Sequence, residues 1–358
     1  MEIRIIQPNP NTQASASTRS TIFSTSSRFE KPSATSEMKF SPVLLFAAAA
    51  AASPVKLQAR EVTKRQAAEA CPIGYCLENG GTTGGAAGET VTVSDLASLT
   101  EAAESDGPLT IIVTGAISGS ARIRVASDKT IFGENGASLT GIGFYIRRVN
   151  NVILRNLAIG QVDADNGDAV GIDESLNVWI DHLDLSGDLS AGKDDLDGLL
   201  DITHAADWVT VSNVYFHDHW KGSLIGHSDS NEDEDLGALH ITYANNHWFN
   251  INSRGPSVRF GVVHVINNYY DSLIDSAINS RMDAQVLVQS TAFTNTPNAI
   301  FSRDSDYTGY VVVDDVDFGT SENTVPEGTL TPGSLPYSIP ALGSGAVASS
   351  VPAGAGNI

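Results

Sequence analysis

Short β-branched runs recur along the chain, each carrying a polar marker two positions after an apolar residue: Leu154-Arg155-Asn156, Ile180-Asp181-His182, Val211-Ser212-Asn213, Tyr243-Ala244-Asn245, Val265-Ile266-Asn267 and Val288-Gln289-Ser290. The markers at 156, 182, 213, 245, 267 and 290 are 26, 31, 32, 22 and 23 residues apart. Each run is too short for a helix, and the spacing is that of a structural repeat. Such a unit buries its apolar face only by stacking on the next one. The pattern therefore predicts an all-β fold, a single-domain right-handed parallel β-helix, with the markers stacked from coil to coil to satisfy turn backbone groups. Segments 109–113, 130–133, 145–157 and 310–318 extend it at both ends, and residues 92–104 read as an amphipathic helix capping the open end. A β-sandwich is the alternative, but its strands would recur every 8 to 12 residues or so.

The first 65 residues follow a different rule. Residues 1–37 are Ser/Thr-rich without apolar periodicity and read as a disordered or spurious extension. Met38-Lys39 followed by the apolar stretch Phe40 to Ala52 has the make-up of a secretory signal, too short for a membrane span. Lys64-Arg65 then reads as a propeptide cleavage site. Residues 38–65 are thus expected to be removed, leaving 66–358 as a secreted, monomeric catalytic domain. The removed part holds 9 of the 21 Lys+Arg and 4 of the 42 Asp+Glu, so 12 bases face 38 acids in the remainder. A field that negative repels nucleic acid and anionic membranes, which excludes both as partners. Cys71 and Cys76 are the two cysteines; in a secreted chain they read as a disulfide, with two structural thiols as the alternative.

Within the repeat, acids and bases are spaced by about one coil. Asp197 and Asp201 lie on one face of an extended strand, and Asp168 precedes them by 29 and 33 residues. Stacked strands are about 4.8 Å apart, so the three carboxylates are expected to converge. Their mutual repulsion calls for a cation, and an all-oxygen donor set suits calcium, with Asn166 as an extra carbonyl donor. Lys221 follows Asp197 by 24 residues, and Arg254 follows Lys221 by 33. The acidic run from Asp229 to Asp235 reads as a solvated surface.

Asn-Gly-Asp-Ala (166–169), Asn-Val-Trp-Ile-Asp-His (177–182), Asp-Gly-Leu-Leu-Asp-Ile-Thr (197–203), His-Asp-His-Trp-Lys (217–221), Leu-Ile-Gly-His-Ser-Asp (224–229) and Asn-Ser-Arg-Gly-Pro-Ser-Val-Arg-Phe-Gly (252–261) together resemble the secreted fungal pectate lyases of polysaccharide lyase family 1. The resemblance implies calcium ligands at Asp168, Asp197 and Asp201, substrate-binding roles for Lys221 and Arg259, and Arg254 as the catalytic base. It also implies a polygalacturonate substrate cleaved by β-elimination to 4,5-unsaturated ends. Two positions depart from the family pattern: Asn166 stands where an acid is common, and Gly255 follows the base where a bulkier residue is common, which implies a looser base. A calcium-independent pectin lyase, kept open by Trp179, Trp208, Trp220 and Trp248, and a non-catalytic wall-binding β-helix are the competing readings. A polygalacturonase would need paired acid and base carboxylates and its own signatures, which are absent.

Overall fold

Every β-branched run of the repeat becomes a strand in the computed structural model, which describes residues 63–358. Twenty-three strands pair side by side, and each strand pairing is parallel. They form three stacks, one on each side of a coil. The first runs from Glu89–Val93 to Tyr310–Asp317. A second runs from Ala116–Val125 through Tyr215–Lys221 and His247–Ser253 to the end of Gln285–Thr294. The third comprises Val170–Asp173, Leu200–Thr203, Ser223–Ile225, Ser257–Arg259, Ser276–Arg281 and Asn298–Phe301. The predicted parallel β-helix is the fold observed.

Parallel register stacks like on like. Val152, Val178, Val209, Ile241, Val263, Val286 and Val311 form one inward column, all buried. In the second stack Phe216, Trp248, Tyr270, Phe293 and Phe318 form an aromatic column whose neighbouring rings lie 3.9–5.8 Å apart and nearly parallel. Each coil thereby removes apolar area from water that it could not bury alone, at about 25 cal/mol per Å².

The polar markers prove to be corners. Asn156, His182, Asn213, Asn245, Asn267 and Ser290 all have φ between 47° and 60°, the left-handed conformation that Asn tolerates best among non-glycine residues. Each turns the chain from the first stack to the second, and its N–H still donates to the next coil, as in Asn213 N to Ala244 O at 3.0 Å. The expected side-chain ladder holds between Asn267 and Asn245 alone among these markers. The buried amide ladder lies one residue further on. Asn246 donates to Val211 O and accepts from Val214 N; Asn268 donates to Tyr243 O and Ile266 O and accepts from Trp248 Nε1.

The capping helix is shorter than expected, Leu96–Glu104, because residues 92 and 93 belong to the first strand. Asp95 caps it by accepting from Ser98 N. Leu99 and Ala103 are buried, covering the start of the stacks. Cys71 and Cys76 are bonded, and the segment around them straps the outer face of the first stack: Tyr75 N and Cys76 N donate to Thr242 Oγ1 and Thr210 Oγ1. Helix Ser344–Ser350 packs on Tyr269 and Ala292 of the second stack. The expected extension and signal, and most of the propeptide, lie outside the described residues. Among the described residues no helix is long and apolar enough to cross a membrane.

Two stability predictions follow from this packing. Asn268→Ala removes the amide bonds to Tyr243 O and Ile266 O and leaves the buried Trp248 N–H unpaired, and should cost about 2–4 kcal/mol in denaturant unfolding. His217 is held between Asp184 (2.9 Å) and Asp218 (2.7 Å); burial opposes its charge, but the two carboxylates win and raise its pKa above the ordinary value. That stabilisation is fully present below pH about 6.5 and fades as pH rises through the folded value. His217→Gln should flatten this decline in melting curves between pH 5.5 and 8.5; an unchanged slope would refute it.

Candidate active site

The third stack carries the site because lateral register puts Gly171 beside Asp201 and Asp201 beside Leu224. Asp168, in the turn entering Val170–Asp173, accepts a hydrogen bond from Gly198 N at 2.9 Å; Asp201 accepts one from Leu224 N at 3.0 Å. A Cβ on Gly198 would lie 2.8 Å from Asp168 Oδ1 and 2.6 Å from Asp201 Oδ1. Both oxygens therefore border one point, and only glycine leaves that point free. Burial first, then Asp201 and Asp197, push the Asp168 carboxyl well above its usual range. Burial likewise outweighs Arg254 and lifts Asp201 to about 6. Two recessed carboxylates this close repel each other, and their oxygens fit a hard dication.

The third expected acid behaves differently. Asp197 Oδ1 lies 3.2 Å from Lys221 Nζ, and Asp194 Oδ1 lies 3.4 Å away. The Lys221 side chain is only 8% exposed, and a buried ammonium left without a carboxylate would be costly. Asp197 answers that need here, so among the described residues no three acids close to metal-binding distance. Asn166 sits in the short turn Ala164–Asn166 with its amide donating to Ser120 Oγ at 2.9 Å.

The bases gather on the adjoining coils. Lys221 ends a strand of the second stack, where its N–H donates to Nδ1 of His219; burial lowers the His219 pKa to about 4, leaving that ring neutral and able to accept. Arg254 occupies the corner after His247–Ser253 with φ 65°, an outlier of the kind functional sites retain. Its carbonyl accepts from Ser223 N at 2.7 Å, and Gly255 N donates to Ala277 O at 2.8 Å. A Cβ on Gly255 would meet the Tyr270 ring at 3.2 Å. The backbone carrying Arg254 is thus pinned on both sides, contrary to the looser base implied by a glycine there. Its guanidinium reaches within 4.0 Å of Asp201.

Arg254 and Arg259 line a groove of about 340 Å³ together with Lys193, Arg281 and Arg303. Sequence reasoning gave no role to the last three. Arg281 is buried, donates to Ser257 Oγ and Asp304 O, and is pushed down to about 10 by burial and then by Arg259. Its register opposite Arg259 was the available signal. Leu224 and His227 line this groove and also the hollow of about 220 Å³ that holds Asp168 and Asp201, so acids and bases share one continuous cleft. None of the four tryptophans lines it: Trp248 is in the core column and Trp179 lies under the N-terminal strap.

The chain matches the family model for pectate lyase over residues 43–356. It is 73% identical to a probable pectate lyase B of Aspergillus terreus over 322 residues, covering 89% of this chain and 99% of that protein. Pectate lyase plyB of Emericella nidulans is 74% identical over 323 residues, with the same coverage. Among solved structures, the pectate lyase of Bacillus sp. N165 in complex with trigalacturonate has TM-score 0.74 and 31% identity, covering 80% of this chain and 98% of that one. Pectate lyase II of Xanthomonas campestris has TM-score 0.72 and 28% identity over 80% and 98%.

Two acids depart from the solvated surface expected of their run. Asp235 is buried and accepts from Ala205 N at 2.8 Å. Asp229 pairs with Arg259 Nε and accepts from Ser305 Oγ at 2.8 Å and Asp306 N at 3.1 Å. Although burial opposes it, Arg259 and those donors hold its carboxyl below the usual range. Asp229→Asn should release Arg259 and raise KM about tenfold, ~1.4 kcal/mol, with kcat nearly kept. Asp233→Asn, on the exposed part of the same run, should leave both unchanged; equal effects of the two variants would show that Asp229 does not position Arg259.

Proposed function

The chain belongs to the pectate lyase family, and from that premise we propose that its cleft cleaves polygalacturonate by calcium-assisted β-elimination, with Arg254 as the base. That the protein is a pectate-degrading lyase follows from the family; the assignment of roles is our reading. One observation carries it: the Arg254 guanidinium lies at the edge of the Asp168–Asp201 pair, where a bound cation and a uronate carboxylate would meet.

The bond to be broken lies β to a carboxylate, and the proton to be removed sits on the carbon beside that carboxylate. An ionised carboxylate resists further negative charge on its neighbour. Asp168, Asp201 and Asp197 would hold calcium, with Asp194 serving as the remaining carboxylate beside Lys221; when bound, the ion would supply the positive charge that neutralises the uronate. Lys221 and Arg259 add fixed positive charge, which stabilises the enolate-like transition state most. Arg254 takes the C5 proton, the electron pair forms the C4–C5 double bond, and the C4 oxygen departs with the preceding sugar and takes up a proton from water. The products carry a 4,5-unsaturated end. Because guanidinium gives up a proton readily only under alkaline conditions, activity should rise from neutral pH upward. The recessed Asp168–Asp201 pair, suited to a cation, disfavours the calcium-independent pectin lyase reading. We further infer that the enzyme is secreted as a monomer with residues 38–65 removed; the apolar stretch after Met38 and the acidic remainder support this.

The test is ultraviolet absorbance of unsaturated product on polygalacturonate. Wild type should give signal with calcium and none with chelator, and the rate should rise between pH 6 and pH 10. Arg254→Ala should lose about 10²–10⁴-fold in kcat while still binding the polymer. Undiminished elimination by that variant, or signal on methylated pectin in chelator, would reject the mechanism.

A further inference from the structure

Lateral register in the parallel stacks writes one row of residues across successive coils: Arg124, Tyr145, Gly171, Asp201, Leu224, Ser257, Asn279 and Phe301. Asp201 and Leu224 of this row line the cleft described above. The row does not end there. Gly171 presents no side chain, and beyond it Tyr145 and Arg122 line the same hollow as Asp168 and Asp201. Tyr145 and Arg124 then line a further hollow of about 280 Å³.

The chemistry at this end is unusual for the molecule. After the N-terminal 65 residues only 12 bases remain against 38 acids, and most arginines of that part have a carboxylate partner. Arg122 and Arg124 are exposed and form no ion pair among the described residues. Both guanidiniums stand over one ring: Arg122 is 3.7 Å and Arg124 5.6 Å from the Tyr145 centroid. That ring is nearly buried and is fixed by its hydroxyl donating to Asp173 Oδ2 at 2.8 Å. A stacked guanidinium gives up little freedom when it binds a carboxylate in bidentate fashion. Arg124 lies three strands from Asp201, about 14 Å at ordinary strand spacing. A polymer crossing the Asp168–Asp201 pair along the row would reach it.

We propose that Arg124, on the Tyr145 platform and next to Arg122, forms a distal subsite that binds a uronate carboxylate of the polygalacturonate chain beyond the sugars at the reacting bond. This rests on the cleft reading above and adds chain-length selection to it. The subsite touches no reacting atom, so it grips only chains long enough to span both places.

Arg124→Gln tests it, with melting temperature confirming the fold. Steady-state cleavage is measured on trigalacturonate, longer oligomers and polygalacturonate. The variant should raise KM for polygalacturonate about tenfold, the size of one charge-assisted contact. Its kcat should be kept, trigalacturonate kinetics should change less than about twofold, and the salt dependence of KM on the polymer should weaken. Equal losses at every chain length would overturn the subsite. No change on the polymer would overturn it as well. Affinity electrophoresis in gels containing polygalacturonate reads the same contact without turnover: a retardation lost in the variant supports the subsite, and an unchanged one overturns it. If wild type binds the polymer but yields no unsaturated ends, the elimination reading fails while this binding result still decides the subsite.

Discussion

Parallel lateral register is the constraint on which this molecule depends. No coil buries its apolar face alone, so every strand must align residue for residue with the next. That alignment produces the Val/Ile column and the aromatic column, and it fixes outward residues as strictly as inward ones. Side chains 20 to 35 residues apart in sequence are thereby held about one strand spacing apart in space. The cleft is an outer reading of the same register that builds the core.

The register also explains the electrostatic tension of the site. Acids on neighbouring coils are pressed together by packing they cannot escape, and Gly198 removes the one atom that would separate Asp168 from Asp201. Burial is the main cause of the raised carboxyl pKa values, and for Asp168 the neighbouring Asp201 and Asp197 add to it. On the next coils the sign reverses, and Arg254, Arg259 and Arg281 crowd one another instead. Neither half is comfortable alone; together they suit a cation and a polyanion.

Much of this was legible in the sequence. Marker spacing reports the coil period because each marker is the left-handed corner of a coil, a conformation that selects Asn. The Asp168, Asp201 and Arg254 spacings report the cleft because they are coil periods too. What the sequence hides is local choice. Spacing cannot say that Asp197 turns to Lys221, since that depends on how deeply the ammonium is recessed. It cannot single out Asp229 from the other acids of its run, since its partners Ser305 and Asp306 come from a loop 76 and 77 residues away. The markers place an amide ladder at the corners, yet Asn246 and Asn268 lie one residue inside, where the carbonyls are buried. Arg124 carries no signal in the sequence, because only lateral register sets it beside Tyr145.

If stacking forces Asp168 and Asp201 into one dication site, calorimetric titration of calcium will give a binding isotherm in wild type that collapses in Asp168→Asn and in Asp201→Asn. The melting temperature of the calcium-free protein should hold or rise in both variants, because repulsion has been relieved. Calcium binding that survives both substitutions would show that the two carboxylates do not form the site.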